Sequence, residues 1–298
     1  MTTSMDAQIA QETPAKTKAK PTPTKPLKRD GSPVRSVLML LLALIAAIPL
    51  YYILISSFKT SSDMAQNPLS LPQTWTLDNF TQAFELNNMG SAFLNSLIIT
   101  IGAIVLQIVI SSLASYGMII GKWWFTATVG VILTIAFAIP LQATLVPQYR
   151  MLASVGLTDS LLGVILLYTS SSVFCYFLMV GYMRALPFEL IEAARIDGAG
   201  PFRIYWKIIL PLSRPILITV IVFQTMSTWN DFLIPNVYLA SPSLRTVILQ
   251  VYNAVGQFTT NWPLFMATTV IALVPVFIFF VFCQRWIISG LVAGSVKG

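Results

Sequence analysis

Residues 184–215 read RALPFELIEAARIDGAGPFRIYWKIILPLSRP, the densest charge in the chain outside its N-terminal tail. About 30 residues is long for a connection between two helices, so the segment should carry structure of its own. Pro187 suits the first turn of a helix, and the residues that follow, to Ile196, are mostly good helix formers. Glu189 and Glu192 lie near its start and Arg195 near its end, as the helix dipole favours. Asp197-Gly198 supplies a stop, because glycine adopts the left-handed conformation that closes a helix. A second helix is predicted from Pro201 through Ile209, until Pro211 interrupts it. Ala193-Ala194 gives the first helix a low-profile side that another surface can approach. An amphipathic helix of this kind also suits a resting place on lipid headgroups.

On both sides of this loop the chain is apolar. Of 298 residues 56% are hydrophobic and 10% are charged, against about 45–50% and about 25% in an average soluble domain. The expected class is an all-α integral membrane protein. A membrane-crossing helix needs about 20 apolar residues, and the chain offers six such stretches, near 37–57, 92–120, 124–149, 160–183, 213–235 and 263–288. The fifth meets Asp231 after only 16 uncharged residues, which leaves its outer end open. In the third, Pro140 and Pro147 should each kink the helix. Residues 1–35, with prolines at 14, 21, 23, 26 and 33, are predicted to be a disordered basic tail before the transmembrane domain of 36–298. The apolar segment after the tail reads as a retained first span; it is too long for a signal-peptide core.

Orientation follows from the Lys/Arg bias of short loops. With six spans, fifteen basic residues fall on the side of the termini and of the 184–214 loop. Lys59, Arg150 and Arg245 fall on the other. Both termini are therefore expected in the cytoplasm, and the net charge of +7 reports topology rather than nucleic acid.

Composition excludes several chemistries. The absence of histidine removes Ser-His-Asp and Cys-His catalysis and most zinc sites. Cys175 and Cys283 lie in apolar runs and read as small buried hydrophobes. Gly117 to Trp123 fails as a P-loop, having one residue too few between its glycines and a tryptophan where the magnesium-binding hydroxyl belongs. As G-x-x-x-G, Gly117 and Gly121 suit close helix packing. Asn79-Phe80-Thr81 matches the glycosylation sequon and reads as a chance triplet.

Glu192-Ala193-Ala194, Gly198 after three more residues, and Ile208, Leu210 and Pro211 after a further nine reproduce a spaced pattern. This segment resembles the EAA loop of ABC-importer permeases, and PFELIEAARIDGAG with LPLSRP resembles the carbohydrate, MalG-like branch of maltose-type importers. SSFKTS, LPQTWTLDNF, TWNDFL and QRWIISGLVAGSVKG agree, so the resemblance covers about residues 37–298. Asn261-Trp262 departs from it where the family often has an acidic residue before the tryptophan. The resemblance implies a type I ABC-importer permease fold in a bacterial cell membrane. It implies a heterodimer with a second permease subunit, two cytoplasmic ABC ATPase subunits that hold ATP and magnesium, and an extracytoplasmic sugar-binding protein. No cofactor is expected on this chain, and no enzymatic activity. The EAA helix is then the part that seats in the ATPase, with Glu192, Ala193, Ala194, Asp197, Gly198, Ile208, Leu210 and Pro211 as coupling positions. The C-terminal stretch would reach toward the ATPases; by its residues alone it reads as a frayed end.

A polar solute needs a polar route through the spans. Gln224, Ser227, Thr228 and Asp231 share one helical face of the fifth span. Tyr168, Ser171, Ser172 and Cys175 are similarly spaced in the fourth, and Gln142, Thr144 and Gln148 lie in the third. Such side chains serve sugar recognition and also hold membrane helices together. Asp231 is as well suited to a structural carboxylate as to a substrate ligand. Importers for glycerol phosphodiesters or polyamines are the alternative, although a phosphate-bearing substrate calls for basic residues within the spans, which this chain lacks. An intramembrane hydrolase lacks its paired Asp or Ser-His.

Overall fold

The computed structural model describes residues 33–86, 88–257 and 261–295. The tail of 1–32 and Lys297 lie outside the described residues. The described residues up to Ala47 and those from Ile48 onward form separate compact units. The described elements are helical: α1 Pro33–Ser56, α2 Ser61–Gln66, α3 Asp78–Leu86, α4 Met89–Ile120, α5 Trp123–Ala138, α6 Leu141–Ser154, α7 Leu161–Tyr168, α8 Ser172–Met183, α9 Glu189–Ile196, α10 Pro201–Ile204, α11 Leu210–Leu212, α12 Arg214–Trp229, α13 Leu233–Tyr238, α14 Val247–Gln257 and α15 Trp262–Ser295. By length and composition Pro33–Ser56, Met89–Ile120, Leu161–Met183 and Trp262–Gln284 suffice to cross a membrane, and two bent helix pairs raise the number to six if each counts as one span.

Those bent pairs differ from the sequence expectation. The third stretch is two helices, α5 and α6, meeting at 101°. Pro140 causes the break: it pushes Ile139 into an extended conformation, φ −76° and ψ 120°, which ends α5. Pro147 does not break the chain and lies within α6. The fifth stretch stops at Trp229, not 235, because Asn230 at φ −89° and ψ 0° leaves the helix and the Asp231 carboxylate closes a local turn ahead of the next one, accepting from the Leu233 N–H at 2.8 Å. The second begins at Met89, three residues before the expected 92. The last runs as helix to Ser295, past the span end expected near 288, and residues 296–298 of the tail lie outside the described residues.

The long α4 is the hub of the larger unit. It packs on α7 and α8 on one side and on α12 and α14 on others. Its inner face is polar as well as apolar: Gln107, Ser111, Ser112 and Ser115 are fully buried. Gln107 donates to the Tyr168 carbonyl at 2.7 Å and Ser115 to the Tyr176 carbonyl at 3.3 Å, so the polar atoms join helices where no water can serve them. A Cβ on Gly117 would meet nothing within 4 Å, whereas one on Gly121 would lie 2.8 Å from Thr126 Cγ2 in the first turn of α5, so only the second glycine of the G-x-x-x-G pair permits a close approach.

On the opposite end, the α1–α4 connection is pinned by two buried side chains. Asn79 donates to the carbonyls of Ser57 and Lys59 at 2.9 and 2.8 Å, which hides the sequon from modification. Lys59 is itself fully buried, and its ammonium donates to the carbonyls of Asn67 and Pro68. Lys59→Met should leave the Pro68 carbonyl without its lysine donor and the Asn67 carbonyl with the Ser70 hydroxyl alone, at a cost of about 1–3 kcal/mol. The check is faster proteolysis of the 59–78 loop in sealed vesicles that expose it; a cleavage rate equal to the parent's would contradict the pinning role.

A second clamp ties the α6–α7 turn to residues 240–241. Asp159, at φ +51°, accepts from the Ser241 hydroxyl and from the Ser241 and Ala240 N–H groups. The Ser241 hydroxyl, followed by the backbone donors, holds the Asp159 carboxyl below the usual carboxylate range. The clamp therefore contributes fully above the ordinary Asp pKa and is lost as pH falls through the depressed one.

Candidate functional site: the 184–214 loop and the polar cleft

The loop folds as a helix, a left-handed turn and a second helix. In α9, Ile191 and Ala194 turn inward and are buried, joining Tyr116, Met179, Met183, Ile204, Tyr205 and Ile209 in one apolar cluster. Glu192, Ala193 and Arg195 remain outside. Ala194 therefore packs on the bundle, and of the alanine pair only Ala193 is open to another surface. The end of α9 is a Schellman closure: the Ala199 N–H donates to the Ala194 carbonyl at 2.9 Å and the Gly198 N–H to the Arg195 carbonyl at 3.0 Å. Gly198 sits at φ +77°, and a Cβ there would meet nothing within 4 Å, so the need for glycine is conformational rather than steric.

After the turn the second helix departs from expectation. Pro211 does not end it. The chain passes from α10 into a π-turn over Tyr205–Ile209, where the Leu210 N–H reaches back to the Tyr205 carbonyl. That wider turn absorbs the donor missing at Pro211, and the break falls at Ser213, where Pro201–Leu212 and Arg214–Trp229 bend by 73°. Ile208 and Leu210 are half-buried against the bundle and Pro211 is exposed.

Two contacts fasten this loop to α4. Tyr205, 3% exposed, shares a 2.7 Å hydrogen bond with Ser112, and Tyr116 donates to the Pro201 carbonyl at 3.0 Å. The two tyrosine rings lie 5.5 Å apart. Sequence reasoning passed over these residues. The four-residue recurrence of Gln107, Ser111 and Ser115 was the available signal for a polar face on α4.

The outward surface of the loop was also only partly legible. Beside Glu192, Ala193 and Asp197 it shows Ile196, 86% exposed, Phe202, 76%, and Trp206, 60%. Three large apolar side chains exposed beside acidic ones form a patch of the kind that takes part in association.

The second arrangement is a cleft of ≈620 Å³ where two irregularities, the α5–α6 break and the 3₁₀ turn Thr169–Ser171, meet the C-terminal half of α12. Ser171, Gln224 and Ser227 line it, with Thr144 and Gln148 from α6 and the rings of Phe137, Phe174 and Phe223. Irregular backbone at membrane depth is tolerated where it lines a cavity. The other expected pathway residues lie elsewhere. Tyr168, Ser172 and Thr228 are buried in the packing, and Cys175 is fully buried, accepting from the Gln224 amide. Asp231 is not on the α12 face at all: beyond the helix end, it accepts from the Tyr168 hydroxyl at 2.8 Å and closes the turn ahead of α13. Gln142 is exposed outside the cleft.

A bundle of apolar helices with broken spans, an internal polar cleft and a partner-ready loop at one end defines a membrane permease. Residues 107–292 match the family model "Binding-protein-dependent transport system inner membrane component", and the chain belongs to that family. It is 37% identical to the probable starch degradation products transport system permease protein AmyC of Thermoanaerobacterium thermosulfurigenes, over 87% of this chain and 94% of that one. The arabinooligosaccharides transport system permease protein AraQ of Halalkalibacterium halodurans is 34% identical, over 91% and 100%. Among solved structures, that of a bacterial ABC transporter importing the acidic polysaccharide alginate superposes with a TM-score of 0.74, at 23% identity over 85% of this chain and 94% of that one. The fold is that of type I ABC-importer permeases. The chain is a transport subunit of the membrane and not an enzyme.

Proposed function

We propose that this chain is the permease of an ATP-driven importer for a sugar or oligosaccharide. It crosses the membrane six times with both termini in the cytoplasm, pairs with a second permease, and receives substrate from an extracytoplasmic binding protein. Two cytoplasmic ATPases bind ATP and magnesium, and this chain binds neither. Its relatives are named for starch degradation products and arabinooligosaccharides, and the cleft suits the same chemistry. Its amides, hydroxyls and phenyl rings carry no charge, as a neutral polyol needs. An importer of phosphodiesters or polyamines is not favoured.

The observation that carries the coupling role is the exposed set Glu192, Ala193, Ile196, Asp197, Phe202 and Trp206 arranged around the Gly198 turn. Glu192, Ala193, Asp197 and Gly198 form the docking side. Ala194, Ile208 and Leu210 hold the loop on the bundle, and Pro211 sets where it feeds α12. Motion of the docked loop passes to α12 through Ser213 and to α4 through Tyr205 and Tyr116, which opens or closes the cleft between α6, α8 and α12. Phe202→Glu combined with Trp206→Glu places charge on the apolar contact and should cut ATPase co-purification by about tenfold or more. Membrane levels should be unchanged, because neither side chain is buried in the chain itself. Parental recovery of the ATPase with the double variant would refute this docking surface. Uptake of neutral oligosaccharides by the reconstituted complex, competed with charged ones, tests the substrate class.

A further inference from the structure

We propose that the groove between α5 and α8 is a binding site for an anionic phospholipid of the leaflet that borders Arg184. The groove, ≈520 Å³, runs from Trp123 and Arg184 at one end, over the floor of Gly130 and Met118, to Thr134 and Ile135. Its walls are hydrocarbon in character. Both side-chain hydroxyls of α5 that line it are already used within the helix, Thr126 donating to the Trp123 carbonyl at 3.0 Å and Thr134 to the Gly130 carbonyl at 2.8 Å. Trp123 to Ile135 is twelve helical steps, about 18 Å of helix, slightly more than one leaflet of a roughly 30 Å hydrocarbon core.

Charge is confined to one mouth. Arg184 caps the C-terminus of α8, is exposed, and has no carboxylate partner among the described residues. Lys122 precedes Trp123 at the start of α5, and Trp123 is 84% exposed, a ring placed as membrane-interface tryptophans are. A cation at the interface above an apolar slot one leaflet long fits a phosphate headgroup with an acyl chain below it. A zwitterionic lipid would bring a second cation beside the guanidinium that offsets its phosphate, and a soluble anion would leave the slot unfilled.

The site rests on the proposed topology only in being assigned to the cytoplasmic leaflet; its preference for a headgroup does not depend on that assignment. The test uses the purified full chain with its partner subunits in nanodiscs of equal phosphatidylglycerol and phosphatidylcholine, with retained lipid counted by native mass spectrometry. The parent should retain phosphatidylglycerol about fivefold over phosphatidylcholine, the effect of one cation near an anionic headgroup. Arg184→Gln should abolish that preference. Gly130→Leu should empty the groove of both lipids, since a Cβ there meets only Met118 Cε at 3.5 Å and the added branch projects into the slot. A parent without preference, an Arg184→Gln protein that keeps it, or a photocrosslinker at Thr134 that captures the second permease in place of lipid would each overturn the site. Orientation is read separately, from protease access to the 1–32 tail, so an error in topology leaves this result standing.

Discussion

Gly198→Val should leave the protein in the membrane at parental levels and reduce uptake by about five- to thirtyfold. The glycine holds φ +77° at the close of α9, and the two hydrogen bonds that reverse the chain depend on that conformation. A non-glycine residue there costs about 1–2 kcal/mol, and a β-branched one stands at the upper end. No neighbour lies within 4 Å of the added Cβ, so the bundle itself has no reason to unfold. The strain is relieved by giving up the turn, which re-aims α10 with Phe202 and Trp206 relative to Glu192 and Ala193. A cost of that size lowers the ratio of the docking-competent arrangement to its re-aimed alternatives about five- to thirtyfold. Asparagine visits the left-handed region readily, so Gly198→Asn should retain most uptake and Gly198→Ala should fall between. Uptake normalised to membrane protein by immunoblot gives the series. Equal uptake across all three variants would show that the turn is not part of the coupling path.

Asp231→Ala carries the second large effect, through stability. One carboxylate oxygen accepts from the buried Tyr168 hydroxyl, and the other closes the turn ahead of α13 by accepting from the Leu233 N–H. Removing both leaves a buried hydroxyl unpaired, about 1–3 kcal/mol, and takes the acceptor from the Leu233 N–H, about 1 kcal/mol, for a loss of about 2–4 kcal/mol. Asp231→Asn preserves that acceptor, and its amide nitrogen can donate to the Tyr168 oxygen, so the variant should unfold close to the parental temperature. The pair also separates two roles. A carboxylate needed only for structure predicts near-parental uptake with Asp231→Asn, whereas a substrate ligand predicts a deficit as deep as that of Asp231→Ala. Thermal unfolding in detergent and uptake in vesicles report the two outcomes independently.

Much of this protein is dictated locally. The apolar runs that make α1, α4, α7–α8 and α15 exceed what a soluble domain carries, and no tertiary contact is needed to know that they belong in a bilayer. The end of α9 is equally local: Asp197-Gly198 after an amphipathic stretch calls for a left-handed closure, and the chain makes one. The proline at 140 breaks its helix because proline constrains the residue before it, a property of two adjacent residues.

Tertiary structure alone decides which polar side chains meet. Periodicity put Asp231 on one face with Gln224 and Ser227, but α12 ends two residues earlier, because Asp231 finds a better partner in Tyr168, 63 residues away. Ala193 and Ala194 are chemically identical in the sequence; the packing of α9 on Met183 and Ile204 buries the second and leaves the first for a partner. Pro211 looked like a helix terminator, yet the π-turn supplies the slack and moves the break to Ser213. The Ser112–Tyr205 bond joins residues 93 apart and has no local signal at all. Hydropathy and turn chemistry are summed over neighbouring residues and survive in the linear text. Pairing of buried hydroxyls, amides and carboxylates is set by which helices are adjacent, and that is known only once they have packed.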